Sequence, residues 1–224
     1  MKTLKSALAA AAVSLFVGAP MVANAAISLK LEDTATNAVV IITDGGVNDV
    51  NSTVGAITYI GTVGTWSFNV TTGVGDAIFP GFGMDISTIN STSGAGSLRI
   101  SFTETGLNWG AAGPTSFLGS IGGTTAGTVN YGLYADDADA AFGLTSQVYS
   151  TGVTYGQGSS FSGAASGLAT VTDPFSLTMV VDITHAGQGS TSFDYELKVP
   201  EPTSLALLSL ALLGAGAATR RRKA

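Results

Sequence analysis

Apolar and polar side chains alternate in short runs through the middle of the chain. Phe175, Leu177 and Met179 belong to one face of an extended segment, and Ser176 and Thr178 belong to the other. The same period of two recurs at residues 66–70, 98–103, 129–133 and 193–199. Strict alternation predicts strands that are half buried against a core. No window between residues 26 and 198 keeps apolar residues at helical spacing over three turns, so strands are expected throughout this part of the chain.

Glycine and small polar residues separate these runs. Asp44-Gly45-Gly46 and Gly122-Gly123 predict tight turns, and the Gly/Ser-rich stretches 106–113 and 156–167 predict flexible loops. Many short strands at close intervals favour an all-β fold, an antiparallel β-sandwich of the jelly-roll kind. We expect residues 26–198 to form it as one domain. A barrel is the alternative, and a β-solenoid is less favoured because the chain shows no fixed repeat length.

The first 25 residues have the three parts of a secretory signal peptide. Lys2 and Lys5 form a basic start, an apolar run follows at residues 7–18, and Ala23 and Ala25 supply the small residues of a signal peptidase site. This segment predicts a signal helix whose removal leaves the middle of the chain beyond the inner membrane. A buried N-terminal helix is the alternative, but it does not explain why the three parts occur in this order.

The C-terminal segment also combines three parts. Two prolines keep the first part extended, the uncharged span at 203–219 is at the short end of what crosses a bilayer, and a basic cluster would remain on the cytoplasmic side. An ordinary single-pass membrane anchor is the alternative to a processed tail. The residues of the first and third parts are Pro200, Glu201 and Pro202, then Arg220, Arg221, Arg222 and Lys223.

In this order, the three parts at 199–224 resemble the PEP-CTERM sorting signal of Gram-negative bacteria. The resemblance implies recognition and cleavage by an exosortase, with transient contact to the inner membrane through the apolar span. It further implies release or attachment at the cell surface or in the exopolysaccharide matrix of a biofilm. Glu201 would then be part of a processing signal and not a catalytic residue of this protein. Residues 183–194 also resemble, more weakly, the last hairpin of one group of proteins with this tail.

The distribution of charge agrees with export. The chain has nine Lys+Arg and fifteen Asp+Glu, and residues 26–198 contain three of the cations and fourteen of the carboxylates, a net charge of 3 − 14 = −11. This acidic middle argues against nucleic-acid partners, because phosphate binding depends on clustered Lys and Arg. The absence of cysteine excludes disulfides, thiolate metal sites and thiol nucleophiles. No cofactor is expected.

Candidate catalytic and metal-binding residues are few. His185, the only histidine, fits a strand end before a turn better than a catalytic triad. Asp136, Asp137 and Asp139 are weak calcium candidates because carboxylate oxygens suit that ion, but a solvated acidic turn is the favoured interpretation. A second acidic loop is flanked by Asp44 and Asp49.

Sugar recognition would need exposed aromatic rings or paired carboxylates. Trp66 belongs to an alternating run and is predicted to lie in the core, whereas Trp109 lies in a predicted loop. The N-glycosylation patterns that begin at Asn51, Asn69 and Asn90 are expected to be chance matches in a Ser/Thr-rich bacterial protein.

The sequence therefore predicts a non-enzymatic exported β-sandwich, sorted by an exosortase to the cell surface or the extracellular matrix. The alternative is a carbohydrate-binding or carbohydrate-active domain in the same compartment. A third hypothesis, ice binding, requires a regular array of threonines. It is disfavoured because the pairs Thr71-Thr72 and Thr124-Thr125 do not recur at a fixed interval.

Overall fold

Twelve β-strands form the part of the chain that the computed structural model describes, residues 25–75, 83–108, 114–154 and 158–199. They make two six-stranded antiparallel sheets, and the predicted all-β sandwich is confirmed. Sheet 1 has the order β2-β1-β6-β11-β8-β9, and sheet 2 the order β10-β7-β12-β5-β4-β3. The strands are β1 (Ala26–Asp33), β2 (Ala38–Thr43), β3 (Ala56–Val63), β4 (Trp66–Val74), β5 (Met84–Thr92), β6 (Gly96–Leu107), β7 (Thr115–Thr125), β8 (Thr128–Asp136), β9 (Ser146–Thr154), β10 (Ser159–Ala169), β11 (Phe175–His185) and β12 (Gly189–Lys198).

Strands that are distant in sequence are neighbours in both sheets. β12 lies between β5 and β7, while β11 lies between β6 and β8. Among the described strands, the chain crosses from one sheet to the other at seven connections, as in a jelly roll: β2–β3, β5–β6, β6–β7, β7–β8, β9–β10, β10–β11 and β11–β12. Residues 183–194 consequently do not form the expected hairpin, because β11 and β12 belong to different sheets.

The core lies between the two sheets, where alternate side chains of both inner faces meet. Among the largest fully buried side chains are Trp66, Phe102, Phe117, Phe175 and Tyr195. Burial of a large apolar side chain stabilises a fold by about 1.5–3 kcal/mol, so these rings supply much of the driving force. The alternating runs identified in the sequence provide these inner faces, and Trp66 occupies its predicted place in the core.

A hydrogen-bonded pair of tyrosines links the sheets inside the core. The Tyr149 and Tyr195 hydroxyl oxygens are 2.9 Å apart, and the Tyr195 hydroxyl also donates to the Gly132 carbonyl at 3.2 Å. Burial raises the pKa of Tyr195 well above its usual range. Both hydroxyls therefore remain protonated, and the buried polar atoms are satisfied.

Part of the outer face of sheet 1 is buried, which the alternating pattern did not predict. The β8–β9 loop (137–145) lies over it: the Phe142 amide donates to Thr103 Oγ1 at 3.2 Å, and Ser176 Oγ donates to the Ala140 carbonyl at 2.8 Å. Thr103, Ser176 and Thr178 are fully buried on this face. The alternation of residues within a strand could not reveal that this face is covered, because the loop that covers it is distant from β6 in sequence.

Glycine-rich segments follow the sequence predictions only in part. Asp44-Gly45-Gly46 forms the expected turn, in which Gly45 has a φ of +64°. Gly122-Gly123 instead lies within β7, and most of the predicted loop 156–167 is strand β10. Gly123 is packed so closely that a Cβ there would come within 2.0 Å of the Ser192 carbonyl. Glycine at this position permits a close approach of neighbouring strands and does not make a turn.

The two ends of the sandwich differ in loop length. Each odd-numbered strand is joined to the next strand by two to four residues at one end, here named the short-turn end. The connections at the opposite end have five to twelve residues. Six short connections are therefore gathered at one edge of the molecule.

The predicted terminal helices lie outside the described residues. Ala25 precedes β1, which begins at Ala26, whereas residues 1–24 and 200–224 are not described. Within the described ranges, no helix is long and apolar enough to cross a membrane. The signal helix and the span at 203–219 therefore stay predictions.

Candidate functional site

The predicted sorting residues begin where the described chain ends. Lys198 closes β12, and Val199 is the last residue described. Pro200, Glu201 and Pro202, together with the basic cluster at 220–223 and Ala23 of the predicted signal peptidase site, lie outside the described residues. Trp109 does as well.

The three calcium candidates do not converge on a common point. Asp136 accepts a hydrogen bond from the Ala138 amide at 2.7 Å, Asp137 from the Thr172 amide at 2.9 Å, and Asp139 from the Gly106 amide at 2.7 Å. Each of the three carboxylates thus accepts a hydrogen bond from a different backbone amide. Among the described residues, no group of three or more acidic or histidine side chains is arranged to hold a metal ion.

Asp44 and Asp49 organise the β2–β3 loop. Asp49 accepts hydrogen bonds from the amides of Gly45, Asn51 and Thr58, each at 2.9 Å, and Asp44 accepts one from Gly55 at 2.8 Å. Carboxylates that bond local backbone amides in this way stabilise turns. Their role in the described structure is to shape the loop.

A buried polar cluster lies in the core beside the short-turn end. His185 Nε2 is 2.8 Å from Thr191 Oγ1, which is in turn 2.7 Å from Thr125 Oγ1. The His185 ring also contacts Trp66, with ring centroids 5.0 Å apart. Burial lowers the pKa of His185, so the imidazole is neutral at pH 7. Neither Thr191 nor Trp66 is a carboxylate that would orient a catalytic histidine. His185 is the last residue of β11, at the predicted strand end.

Several atoms of this cluster form no hydrogen bond with the described residues. They are His185 Nδ1, Trp66 Nε1 and both side-chain polar atoms of Asn90, the residue that pairs with Thr191 across β5 and β12. His185 is 2% exposed, Asn90 1% and Trp66 0%. Buried polar atoms are usually satisfied by the protein or by ordered water. The burial of Asn90 also agrees with its glycosylation pattern being a chance match.

A cavity of about 730 Å³ lies at the short-turn end, next to this cluster. Eight of its twelve lining residues have a hydroxyl group and one has a side-chain amide. They come from the β3–β4 turn and the start of β4, the end of β5, the end of β7 with the turn after it, the β9–β10 connection, and the β11–β12 connection with the start of β12. The lining residues are Thr65, Ser67, Gly158 and residues 91–93, 124–126 and 188–190.

In the part of the chain that the structure describes, no charged side chain lines the cavity. The cations at Lys30, Arg99 and Lys198 are each paired with a carboxylate of their own sheet; Arg99 Nε, for example, is 2.7 Å from Asp182 Oδ1. The cavity therefore has hydrogen-bonding capacity without electrostatic attraction for an ion.

Three carboxylates meet elsewhere on the outer face of sheet 2. Asp85 on β5 is directly opposite Glu196 on β12, and Asp194 is on the same face. Burial raises the pKa of Asp85 to about 7, and repulsion from Asp194 and Glu196 adds to the effect. Lys198 pairs with Glu196 at 2.8 Å. This acidic group gives the face negative potential at and above neutral pH.

Sequence reasoning missed the cavity. Its lining residues belong to Ser/Thr clusters such as 91–93 and 124–125, but similar clusters occur throughout the chain. Only the convergence of the short connections at one end distinguishes the lining residues from the others. The sequence offered no signal for that convergence.

Comparisons with known proteins bear on the tail and on the sandwich separately. Residues 198–223 match the family model described as the PEP-CTERM protein-sorting motif, so the predicted sorting signal is confirmed. The motif indicates an exported protein whose precursor is anchored in the membrane and sorted to the cell surface. Among curated proteins, none matches the chain significantly.

Solved structures resemble the sandwich only loosely. A structure of carbohydrate-binding modules from the β-sandwich superfamily is 13% identical, with 79% of this chain and 75% of that chain covered, at a TM-score of 0.39. The structure of TmCBM61 in complex with β-1,4-galactotriose is 14% identical, with 51% of this chain and 70% of that chain covered, at a TM-score of 0.35. An adhesin domain of Lys-gingipain from Porphyromonas gingivalis is 10% identical, with 64% of this chain and 95% of that chain covered, at a TM-score of 0.30. At these scores the similarity carries no argument about function.

Proposed function

We propose that this protein is a non-enzymatic component of the cell surface or of the extracellular polysaccharide matrix, placed there by exosortase processing of its tail. The observation that carries the proposal is the position of the sorting motif. The matched segment begins at Lys198, which is also the last residue of β12. Eleven strands precede the matched segment and β12 ends at its first residue, so cleavage after that residue leaves the sandwich whole.

The described side chains support a non-enzymatic role. His185 is neutral and bonded to a threonine hydroxyl, and the aspartates of the two acidic loops bond backbone amides. These groups stabilise loops and the core. A hydrolase of matrix polysaccharide would need a pair of carboxylates held on either side of a bound sugar, and the grouped carboxylates Asp85, Asp194 and Glu196 are not among the residues that line the cavity.

The test is mass spectrometry of the protein recovered from the outer surface and the medium of an exosortase-producing host. We expect neither residues 1–25 nor residues 203–224 in the recovered protein. Glu201→Gln should retain the full tail in the membrane fraction. Glu196→Gln, outside the matched segment, serves as the control and should be processed normally.

Recovery of the intact C-terminus from the outer surface would refute the processing step. Hydrolysis of matrix polysaccharide by the purified protein would refute the non-enzymatic assignment.

A further inference from the structure

We propose that the cavity at the short-turn end binds an uncharged saccharide unit. This inference deepens the proposed function and rests on it for the source of the ligand, since a surface or matrix protein meets polysaccharide at high concentration. The site consists of the hydroxyl-lined cavity together with the buried polar cluster beside it.

The lining chemistry matches a sugar. A Ser or Thr hydroxyl both donates and accepts hydrogen bonds, and each hydroxyl of a sugar does the same. Thr65, Ser67, Ser91, Thr124 and Ser190 are exposed at the cavity. Their oxygens can therefore pair with ligand hydroxyls in either direction. A volume of about 730 Å³ lies within the range of small-molecule pockets.

The absence of charge in the lining argues against ionic ligands. An anion would need a cation or a set of convergent backbone amides, and a divalent metal ion would need carboxylates. The outer face of sheet 2 also contains the acidic group of Asp85, Asp194 and Glu196, which repels acidic polysaccharides. A neutral polyhydroxyl ligand is the class that the cavity accommodates.

The unpartnered buried atoms add a second, independent observation. Gly189 lines the cavity, and a Cβ on it would stand 3.1 Å from His185 Nδ1. His185 Nδ1 is thus adjacent to a residue that lines the cavity, although the nitrogen itself is buried. Trp66 Nε1 lies near Thr65, which lines the cavity. A Cβ built on Gly96 would be 3.1 Å from Trp66 Nε1 and 3.5 Å from Thr65 Oγ1, so both atoms are close to the same point. A ligand bound beside Gly189 and Thr65 would bring hydroxyl groups, or water molecules that they hold, close to these unsatisfied atoms.

Binding at this site should be weak. Among the described residues, none with an aromatic side chain lines the cavity, so these residues provide none of the stacking that strengthens sugar binding. Hydrogen bonds between neutral groups contribute little net free energy each, and a few of them correspond to a Kd of about 1 mM. Many copies of the protein on one polysaccharide would compensate by multivalency.

The experiment monitors the single histidine by NMR. The full chain, without a histidine tag, is labelled at histidine, purified in a sugar-free detergent, and titrated with neutral gluco-, galacto- and manno-oligosaccharides and with oligogalacturonate. His185 is joined to the cavity-lining Thr125 through Thr191, so a ligand in the cavity should shift its ring signals. We expect a saturable shift at about millimolar concentration with a neutral oligosaccharide and none with oligogalacturonate.

Matched variants locate the site. Ser91 and Ser87 are both exposed on the same face of β5, but only Ser91 lines the cavity. Ile89 between them shows that an isoleucine is accommodated on this face. Ser91→Ile should weaken binding at least about tenfold, because the larger apolar side chain occupies part of the cavity and replaces a lining hydroxyl, whereas Ser87→Ile should leave binding unchanged. Thr124→Val, which removes one lining hydroxyl at nearly constant volume, gives the same test if Ser91→Ile fails to fold.

Three outcomes would overturn the inference: no neutral oligosaccharide shifts the His185 signals, the acidic oligosaccharide binds as well as the neutral ones, or Ser87→Ile and Ser91→Ile weaken binding equally. None of these results depends on where the protein resides in the cell. The processing test therefore fails or succeeds separately from this one.

Discussion

Replacing Asp85 by asparagine should stabilise the protein in alkaline solution and leave it unchanged in acid. Asp85 is half buried on β5, opposite Glu196 and close to Asp194. Burial, followed by repulsion from these two carboxylates, raises its pKa from an ordinary 3.8 to about 7. The folded protein consequently binds this proton more tightly than the unfolded chain does.

The sign and size of the effect follow from that difference. A raised carboxyl pKa contributes stability that is fully present below about pH 4 and is lost as the pH rises to about 7. At about 1.4 kcal/mol per pH unit, the whole difference between 3.8 and about 7 gives an upper limit of about 4 kcal/mol. Because solvent reaches the side chain and screens the repulsion, we expect about 1–2 kcal/mol.

The assay is chemical or thermal denaturation of the wild type and Asp85→Asn at pH 4 and pH 9. At pH 9 the variant should unfold at a temperature higher by about 2–8 °C, and at pH 4 the two proteins should be equal. Ser87→Ala on the same face is the uncharged control and should show no pH-dependent change. An equal gain at both pH values, or a loss at pH 9, would contradict the electrostatic explanation.

Two further predictions concern the packing of the sandwich. Asp33 is fully buried and accepts four hydrogen bonds, two of them from Thr65, and these bonds outweigh the effect of burial and lower its pKa. Asp33→Ala should therefore reduce the free energy of unfolding by about 2–4 kcal/mol at pH 7. The loss should become smaller as the pH falls through the lowered pKa, and urea denaturation at pH 7 and pH 2 would measure it. Gly123→Ala places a Cβ against the Ser192 carbonyl and should lower the free energy of unfolding by about 3 kcal/mol. In the control Gly122→Ala, the nearest atom to the new Cβ is the Phe161 carbonyl oxygen at 3.7 Å, so its stability should stay within about 1 kcal/mol of the wild type. Equal melting temperatures for the two variants would contradict the packing argument.

The sandwich could be predicted because its signal is local. Alternation of apolar and polar residues needs only one strand, and runs such as 98–103 and 175–184 became β6 and β11. Composition was misleading for β10, which is rich in Gly and Ser and was predicted as a loop. It is a strand because it pairs along its whole length with β7, and such pairing overrides weak intrinsic preference.

The candidate site could not be predicted for the opposite reason. Its lining comes from the ends of strands that are far apart in sequence, and each contributes residues that are common throughout the chain. His185 was correctly placed at a strand end, but its hydrogen bond to Thr191 depends on a connection that crosses between the sheets. Sequence reasoning treated that connection as a hairpin, and so it could not bring His185, Trp66 and Asn90 together.

By itself, the sequence determined the strand-forming middle of the chain and the sorting motif at 198–223, because alternation and a linear motif can both be read along one segment. The tertiary structure alone decided which hydroxyls surround a cavity, which polar atoms are buried without partners, and which carboxylate has a raised pKa. These properties depend on the register between strands, such as β5 and β12, whose residues meet only after the chain has folded.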